Sequence, residues 1–281
     1  MRKEPTMKQK EQYYSDLHTH TTASDGQYTP TQLVTLAAQN GLNILAITDH
    51  DTMDGLDEGI EAGKRLGITV LRGIELSAKE YPTFHILGYN FSPDGKDLSK
   101  ICQEMKAARD ERKYRIMDFL ADSGVHISLS EVEEIASGVV GKPHFARVLV
   151  QHGYASSVQD AFDKYLNTPE YRKRVKREKP SAERCIKAIK CAGGKVSLAH
   201  PYQIGVDDAS LDILVGELKG YGLDAIEIRY PKYTPEMQEL YLDLMFKYNL
   251  NWTGGSDFHG EKVKPDTRLF HQRMNLDWMF S

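Results

Sequence analysis

Short hydrophobic runs alternate with amphipathic segments in the first third of the chain. The runs Tyr14–Thr21, Ile44–Thr48, Thr69–Leu76 and Phe84–Tyr89 predict four strands. Apolar residues at helical spacing separate the first three runs, and Thr29-Pro30-Thr31 is a typical helix start. Strands separated by helices predict βαβ units and a parallel sheet.

The middle of the chain follows another pattern. From residue 96 to residue 183, helical periodicity continues without a convincing strand, and Ser130 followed by Glu133 is typical of a capping box. The end of this block, residues 171–179, is strongly basic. We interpret this run as a solvated surface segment, with a role in binding an anionic ligand as the alternative.

The alternation of strands and helices then returns. Predicted strands cover Lys195–Ala199, Ala225–Tyr230 and Asn251–Gly254, and helices cover the segments between them. The pattern therefore predicts an α/β domain of residues 14–95 and 184–281, with residues 96–183 as a helical insertion. Residues 1–13 are polar, carry charges of both signs, and are predicted to be a disordered lead-in.

Composition and charge exclude several classes of protein. A net charge of −4 over 281 residues argues against a generic duplex-DNA binder, which should be basic. The three cysteines are odd in number and form no C-x-x-C pair, so we expect no disulfide framework and a cytoplasmic location. No apolar run approaches the roughly 20 residues that a membrane span needs.

Histidines and carboxylates recur where the predicted strands end. Because the carboxyl ends of parallel strands form one rim, side chains that are distant in sequence should converge there. A lone histidine is more often an ordinary core or surface residue, but nine candidates at matching positions favour a shared site. Asp49 is expected to orient the neighbouring His50. The nine candidates are His18, His20, Asp25, His50, Glu75, His85, His200, Asp257 and His259.

The chemistry of this set points to metal binding. It contains imidazoles and carboxylates but no thiolate, which suits divalent zinc, manganese or iron and argues against a structural zinc site of the cysteine type. His18 and His20 form a His-x-His pair on one predicted strand, so both side chains point to the same side.

The motifs around these residues resemble those of the PHP (polymerase and histidinol phosphatase) family of metal-dependent phosphoesterases. The resemblance implies a distorted (β/α)7 barrel, similar to a TIM barrel, with a helical insertion and three divalent metal ions per chain (Mn, Fe or Zn). The motifs are Asp16-Leu-His-Thr-His20, Ser24-Asp-Gly26, Thr48-Asp-His-Asp51, Gly73-Ile-Glu75, His85-Ile-Leu-Gly88, Ala199-His-Pro201 and Ser256-Asp-Phe-His259.

The resemblance also implies a distribution of ligands. Glu75, His200 and Asp257 would be catalytic as well as metal-binding, with Glu75 bridging two ions. Some family members have histidine where this chain has Asp25, which should alter the affinity of the third site. The implied sets are His18, His20, Glu75 and Asp257 for the first ion, Glu75, His85 and His200 for the second, and Asp25, His50 and His259 for the third.

Within the family, the insertion and the stretch Gly141-Lys-Pro-His-Phe-Ala-Arg147 resemble a branch that includes nucleoside 3′,5′-bisphosphate phosphatases. Lys142, His144 and Arg147 are therefore candidates for binding a second phosphate. A solvated helix face is the alternative for Lys142 and Arg147, and a helix cap is the alternative for His144. The branch often has arginine where this chain has Lys142, which keeps the charge but loses the bidentate fork.

The resemblance implies that the chain hydrolyses the 3′-phosphate of nucleoside 3′,5′-bisphosphates, such as adenosine 3′,5′-bisphosphate to AMP, by attack of a metal-bound hydroxide. The alternatives are a 5′-to-3′ exoribonuclease acting on short RNA, a histidinol phosphate phosphatase, and a non-catalytic accessory module. The expected partner is a small phosphorylated substrate, either a nucleotide or a short oligoribonucleotide, and neither duplex DNA nor a membrane.

Overall fold

The computed structural model describes residues 13–136 and 140–280 of the chain. These residues form two compact units, which we call the barrel unit (13–99 and 181–280) and the helical unit (100–136 and 140–180). The predicted lead-in of residues 1–13 lies outside the described residues except for Tyr13, which is the first residue of a strand. Among the described residues, no helix combines the length and the hydropathy that crossing a bilayer requires.

The barrel unit is built on a single sheet of eight strands in the order β7-β6-β5-β4-β3-β2-β1-β8. The neighbours β1-β2-β3 and β5-β6-β7 are parallel, whereas β4 is antiparallel to both of its neighbours and β8 is antiparallel to β1. The strands are β1 (Tyr13–Thr19), β2 (Ile44–Ile47), β3 (Thr69–Ser77), β4 (His85–Tyr89), β5 (Lys195–Leu198), β6 (Ala225–Arg229), β7 (Asn251–Gly254) and β8 (Gln272–Met274).

The segment after β7 nearly closes this sheet into a barrel. The Asp257 amide donates to the His18 carbonyl at 2.8 Å, and the His20 amide donates to the Phe258 carbonyl at 2.9 Å. The chain therefore returns to the end of β1, which confirms the predicted α/β barrel.

The direction of β4 differs from the predicted parallel sheet. Only residues 78–84 join β3 to β4, which is too short for the crossover that a parallel connection requires. The antiparallel direction pairs His85, the first residue of β4, with Ser77 at the end of β3. His85 therefore lies at the rim formed by the carboxyl ends of the other strands. The short strand β8 was not predicted.

Ten α-helices accompany these strands in the described residues. Helix α1 begins as predicted after Thr29, whose hydroxyl accepts from the Gln32 amide, while the Gln32 side chain accepts from the Thr29 amide. The helices are α1 (Pro30–Gln39), α2 (Leu56–Leu66), α3 (Lys96–Asp122), α4 (Leu129–Ala136), α5 (Lys142–Gln151), α6 (Val158–Ala161), α7 (Pro169–Arg174), α8 (Ala182–Cys191), α9 (Asp208–Tyr221) and α10 (Pro235–Lys247).

The helical unit has its own buried core, which includes Phe119, Leu120, Phe145 and Leu149. Two details differ from the prediction. The cap of α4 lies two residues earlier, because the Ser128 amide donates to the Glu131 carboxylate at 2.8 Å. The predicted helix over 158–166 is α-helical only through α6 and continues as one π-helical turn, Phe162–Leu166.

Closure of the barrel depends on one glycine. A Cβ atom on Gly255 would lie 2.2 Å from the His18 Cβ and 2.6 Å from the His18 amide nitrogen. The backbone after β7 therefore approaches β1 more closely than any other residue allows.

We expect Gly255→Ala to lower the free energy of unfolding by about 1–3 kcal/mol through overpacking, and to lower the amount of bound metal because His18 must move. Gly220→Ala is the matched control, because nothing lies within 4 Å of its added Cβ, and it should be neutral or slightly stabilising. Thermal unfolding and metal content of the two variants test this. Equal behaviour of the two would contradict the close approach at His18.

Candidate metal centre

The carboxylate of Glu75 lies at the centre of the rim and is fully buried. Its Oε1 lies 2.8 Å from Nδ1 of His85 and 2.8 Å from Nε2 of His200. Three further ring nitrogens surround Oε2 at 3.0, 3.2 and 3.3 Å, those of His50, His20 and His18. Five imidazoles from the ends of β1, β2 and β5 and the start of β4 therefore face a single carboxylate.

Two aspartates complete the cluster on either side of Glu75. Asp257 Oδ1 lies 3.4 Å from His20 Nε2 and 3.3 Å from His259 Nδ1. Asp25 is half exposed, and its Oδ1 lies 3.3 Å from His259 Nε2. The structure thus brings together all nine residues that the sequence singled out. Three overlapping groups could each hold an ion: His18, His20 and Glu75; His50, Glu75 and His85; and His20, Asp25, His50 and His259.

The donor atoms of this cluster fit a divalent metal. Buried polar atoms are nearly always hydrogen-bonded, yet several here make no hydrogen bond to any described residue. Lone pairs that converge without hydrogen bonds, all on imidazole or carboxylate, are the ligands that Zn, Mn and Fe accept. The atoms are His18 Nε2, both ring nitrogens of His20, His50 Nδ1, Glu75 Oε2 and His200 Nδ1.

The electrostatics of the cluster keep its central carboxylate charged. Burial raises the pKa of Glu75, but the surrounding imidazoles, His50 first, outweigh burial and hold that pKa well below its usual range. Burial lowers the pKa of His85 to about 4, so this ring is neutral and its lone pair is available. Although burial opposes it, the nearby carboxylates of Asp257 and Glu75 raise the pKa of His20 to about 9. A proton and a metal ion therefore compete for His20.

A carboxylate that the sequence analysis missed orients two of these histidines. Glu227 Oε1 lies 3.1 Å from His18 Nδ1, and its Oε2 accepts from the His200 amide at 2.8 Å. This contact turns His18 Nε2 towards Glu75, as carboxylates do for metal-binding histidines in general. The signal in the sequence was an acidic residue between two isoleucines of β6, because a carboxylate that is fully buried needs a partner.

Asp257 is held in a similar way. Its Oδ2 accepts from the Tyr230 hydroxyl at 2.8 Å and from Lys264 Nζ at 2.7 Å, which leaves Oδ1 to face the rings. The backbone of Asp257 has φ of 55° and that of His200 has φ of 23°, both in the region that non-glycine residues avoid. Strain of this kind typically concentrates at functional sites.

Two further aspartates of the motifs, Asp16 and Asp49, hold backbone segments in place through hydrogen bonds. Asp16 accepts from the amides of His18, Ser256 and Phe270, which ties β1 to the segments after β7. Asp49 accepts from the Thr21 amide at 2.7 Å and from the hydroxyls of Thr21 and Ser24, both at 2.6 Å. These bonds of Asp49 go to the loop after β1 and not to His50, which differs from the expectation.

The three candidates for a second phosphate lie on α5 in the helical unit. Lys142 Nζ donates to Asn167 Oδ1 at 2.8 Å. His144 Nδ1 accepts from the Gly141 amide at 2.9 Å, which is the capping role considered as its alternative. Arg147 is exposed. Lys142 lines a cavity of the helical unit.

We expect Glu227→Gln to weaken metal binding by about 10- to 100-fold, because the amide keeps the shape but not the charge that orients His18. Asp212→Asn is the matched control, since Asp212 pairs with Lys247 on the surface. Metal affinity of the two variants, measured by competition with a chelator, tests this. Unchanged affinity in Glu227→Gln would show that Glu227 does not support the centre.

Comparison with known proteins agrees with the geometry. The PHP domain matches residues 16–200. A 5′-3′ exoribonuclease from Haemophilus influenzae is 35% identical, covering 87% of this chain and 89% of that protein. A phosphoribosyl 1,2-cyclic phosphate 1,2-diphosphodiesterase from Eggerthella lenta is 31% identical, covering 88% and 94%. A 3′,5′-nucleoside bisphosphate phosphatase from Chromobacterium violaceum is 30% identical, covering 87% and 86%.

A solved structure from Bifidobacterium adolescentis, provisionally described as a metal-dependent phosphoesterase, superposes with a TM-score of 0.79. It is 32% identical, and the match covers 94% of this chain and 93% of that one. The chain belongs to the PHP domain family and is a metal-dependent phosphoesterase.

Proposed function

We propose that this phosphoesterase removes the 3′-phosphate of nucleoside 3′,5′-bisphosphates, converting adenosine 3′,5′-bisphosphate to AMP and inorganic phosphate. The observation that carries the proposal is the buried Glu75 carboxylate, both of whose oxygens face ring nitrogens. One carboxylate shared in this way supports adjacent ions, which is the arrangement that phosphoryl transfer to water uses.

We further propose that the centre holds three divalent ions of Mn, Fe or Zn, with Glu75 shared between two of them. Such ions, when bound, lower the pKa of water and neutralise charge that develops on the phosphate oxygens. The protein groups supply the geometry: Glu227 fixes His18, and Tyr230 and Lys264 fix Asp257. Glu75, His200 and Asp257 are the residues that we assign to the reaction.

The contacts of the basic run 171–179 favour a small substrate over a long one. Arg174 forms an ion pair with Asp122, and Arg115 donates to the Lys176 carbonyl at 2.7 Å. The segment is therefore partly engaged in contacts within the helical unit. The ion pair offsets one positive charge of the run, and together with the net charge of −4 it disfavours a long polyanion.

A second candidate is 5′-to-3′ trimming of short RNA at the same centre. It is favoured by the relatives named 5′-3′ exoribonuclease, among them the Haemophilus influenzae protein at 35% identity and an Escherichia coli protein at 33%. Both reactions attack phosphorus with the same set of ligands, so the substrate alone distinguishes them.

The experiment uses protein that has been stripped of metal and reloaded with Mn²⁺. We expect metal-dependent release of phosphate from adenosine 3′,5′-bisphosphate, with AMP as the other product, and little release from histidinol phosphate. A short 5′-phosphorylated RNA is tested in parallel. RNA trimming without hydrolysis of the bisphosphate would replace the first candidate by the second, and no turnover of any of the three would contradict both.

We expect His18→Ala to lower kcat/KM for the active substrate by more than about 100-fold, because it removes a ligand at the centre of the cluster. His126→Ala is the control, since His126 is exposed in the helical unit, and it should retain full activity. Steady-state phosphate release measures both. Comparable activity of the two variants would place the chemistry elsewhere.

A further inference from the structure

A lysine outside the set of candidate ligands, Lys264, contacts the edge of the metal centre. Its Nζ donates to Oδ2 of Asp257 at 2.7 Å. Oδ1 of the same carboxylate lies 3.4 Å from Nε2 of His20 and 3.3 Å from Nδ1 of His259. One carboxylate therefore separates the ammonium group from the imidazoles of the centre.

Lys264 is more exposed than a residue that serves Asp257 alone needs to be. Oδ2 of Asp257 also accepts from the Tyr230 hydroxyl at 2.8 Å, and Tyr230 is buried. The side chain of Lys264, in contrast, is 36% exposed. Tyr230 shows that a donor can hold this carboxylate from within the protein, so the exposure of Lys264 requires another explanation.

The ammonium group retains hydrogen-bonding capacity on its exposed side. A protonated lysine has three N–H donors. The part of the chain that the structure describes provides one acceptor for them, the Asp257 carboxylate. The neighbouring ligand His259 contacts Asp25, whose side chain is 51% exposed. An anion from solvent can therefore reach both the ammonium group and this side of the centre.

The turn that carries Lys264 is held against the loop after β1. The Lys262 amide donates to Gln27 Oε1 at 2.8 Å, and the Tyr28 hydroxyl donates to Glu261 Oε2 at 2.8 Å. The backbone that places the ammonium group is therefore fixed before a substrate arrives. A preorganised charge stabilises negative charge that develops in a reaction better than a mobile charge does.

We propose that Lys264 is a substrate-binding residue of the centre and that its ammonium group binds a non-bridging oxygen of the phosphate group that is hydrolysed. Lysine binds phosphate as a compact point charge, and hydrogen bonds between charged groups are the stronger ones. Charge that develops on the phosphate oxygens during hydrolysis would be stabilised by the same contact. Any phosphate ester would make this contact, so the role of Lys264 does not require a nucleoside bisphosphate as the substrate.

The binding experiment titrates the Mn²⁺-loaded full chain with inorganic phosphate by calorimetry, and the binding event that disappears after metal removal is assigned to the centre. Lys264→Gln keeps an N–H donor for Asp257 but removes the charge, so we expect its phosphate affinity to fall by about 10-fold or more. Lys264→Arg keeps the charge and should restore most of the affinity. Lys262→Gln, at an exposed position of the same turn, is the matched control and should bind as the wild type does.

The metal content of the same samples separates substrate binding from support of Asp257. We expect Lys264→Gln to hold as many Mn²⁺ ions per chain as the wild type while it binds phosphate more weakly. Wild-type phosphate affinity in this variant would overturn the proposal. It would also be overturned by a fall in phosphate affinity that follows a loss of metal, or by the absence of metal-dependent phosphate binding in the wild type.

A kinetic measurement tests the same contact during turnover. On whichever substrate the wild type hydrolyses, kcat/KM should fall by about 10-fold or more in Lys264→Gln, recover in Lys264→Arg and stay unchanged in Lys262→Gln. Unchanged kcat/KM in Lys264→Gln would contradict a contact with the reacting phosphate. Should the wild type hydrolyse none of the three substrates, the proposed function fails, while calorimetry still decides the role of Lys264.

Discussion

The rest of the barrel unit depends on the burial of one charged carboxylate, that of Glu75. A carboxylate without contact to water is tolerated only when each oxygen has partners. Here the partners are five imidazoles whose residues are separated by up to 182 positions in sequence, from His18 to His200. The sheet has to place all five imidazoles at one rim. This requirement accounts for the features of the fold that depart from a regular barrel.

Two departures have this origin. The antiparallel β4 brings its first residue, His85, to the rim that parallel strands reach with their last residues. The absence of a side chain at Gly255 lets the segment after β7 approach β1 and places Asp257 beside His18. The positive φ angles of His200 and Asp257 are a cost that their hydrogen bonds to Glu227, Tyr230 and Lys264 offset.

The sequence predicted the parts of this arrangement that follow from local pattern. The histidines and acids at strand ends can be recognised because they interrupt apolar runs. The start of α1 at Thr29 can be recognised from the adjacent residues alone. The direction of β4 was missed because strand periodicity is the same in parallel and antiparallel strands. The short connection after Ser77 does indicate an antiparallel strand. Glu227 and Tyr230 were missed because they act through partners that are distant in sequence. The predicted cap of α4, Ser130, lies two residues after the observed cap, Ser128, because both serines are followed three residues later by a glutamate.

The most direct test of the central claim counts metal ions. Elemental analysis of wild-type protein and of Glu75→Gln, both reloaded with excess Mn²⁺ and then desalted, gives the number of ions bound per chain. Because the carboxylate of Glu75 is shared, we expect the single substitution to remove more than one ion per chain while the protein stays folded. Loss of one ion or of none would contradict the shared role of Glu75.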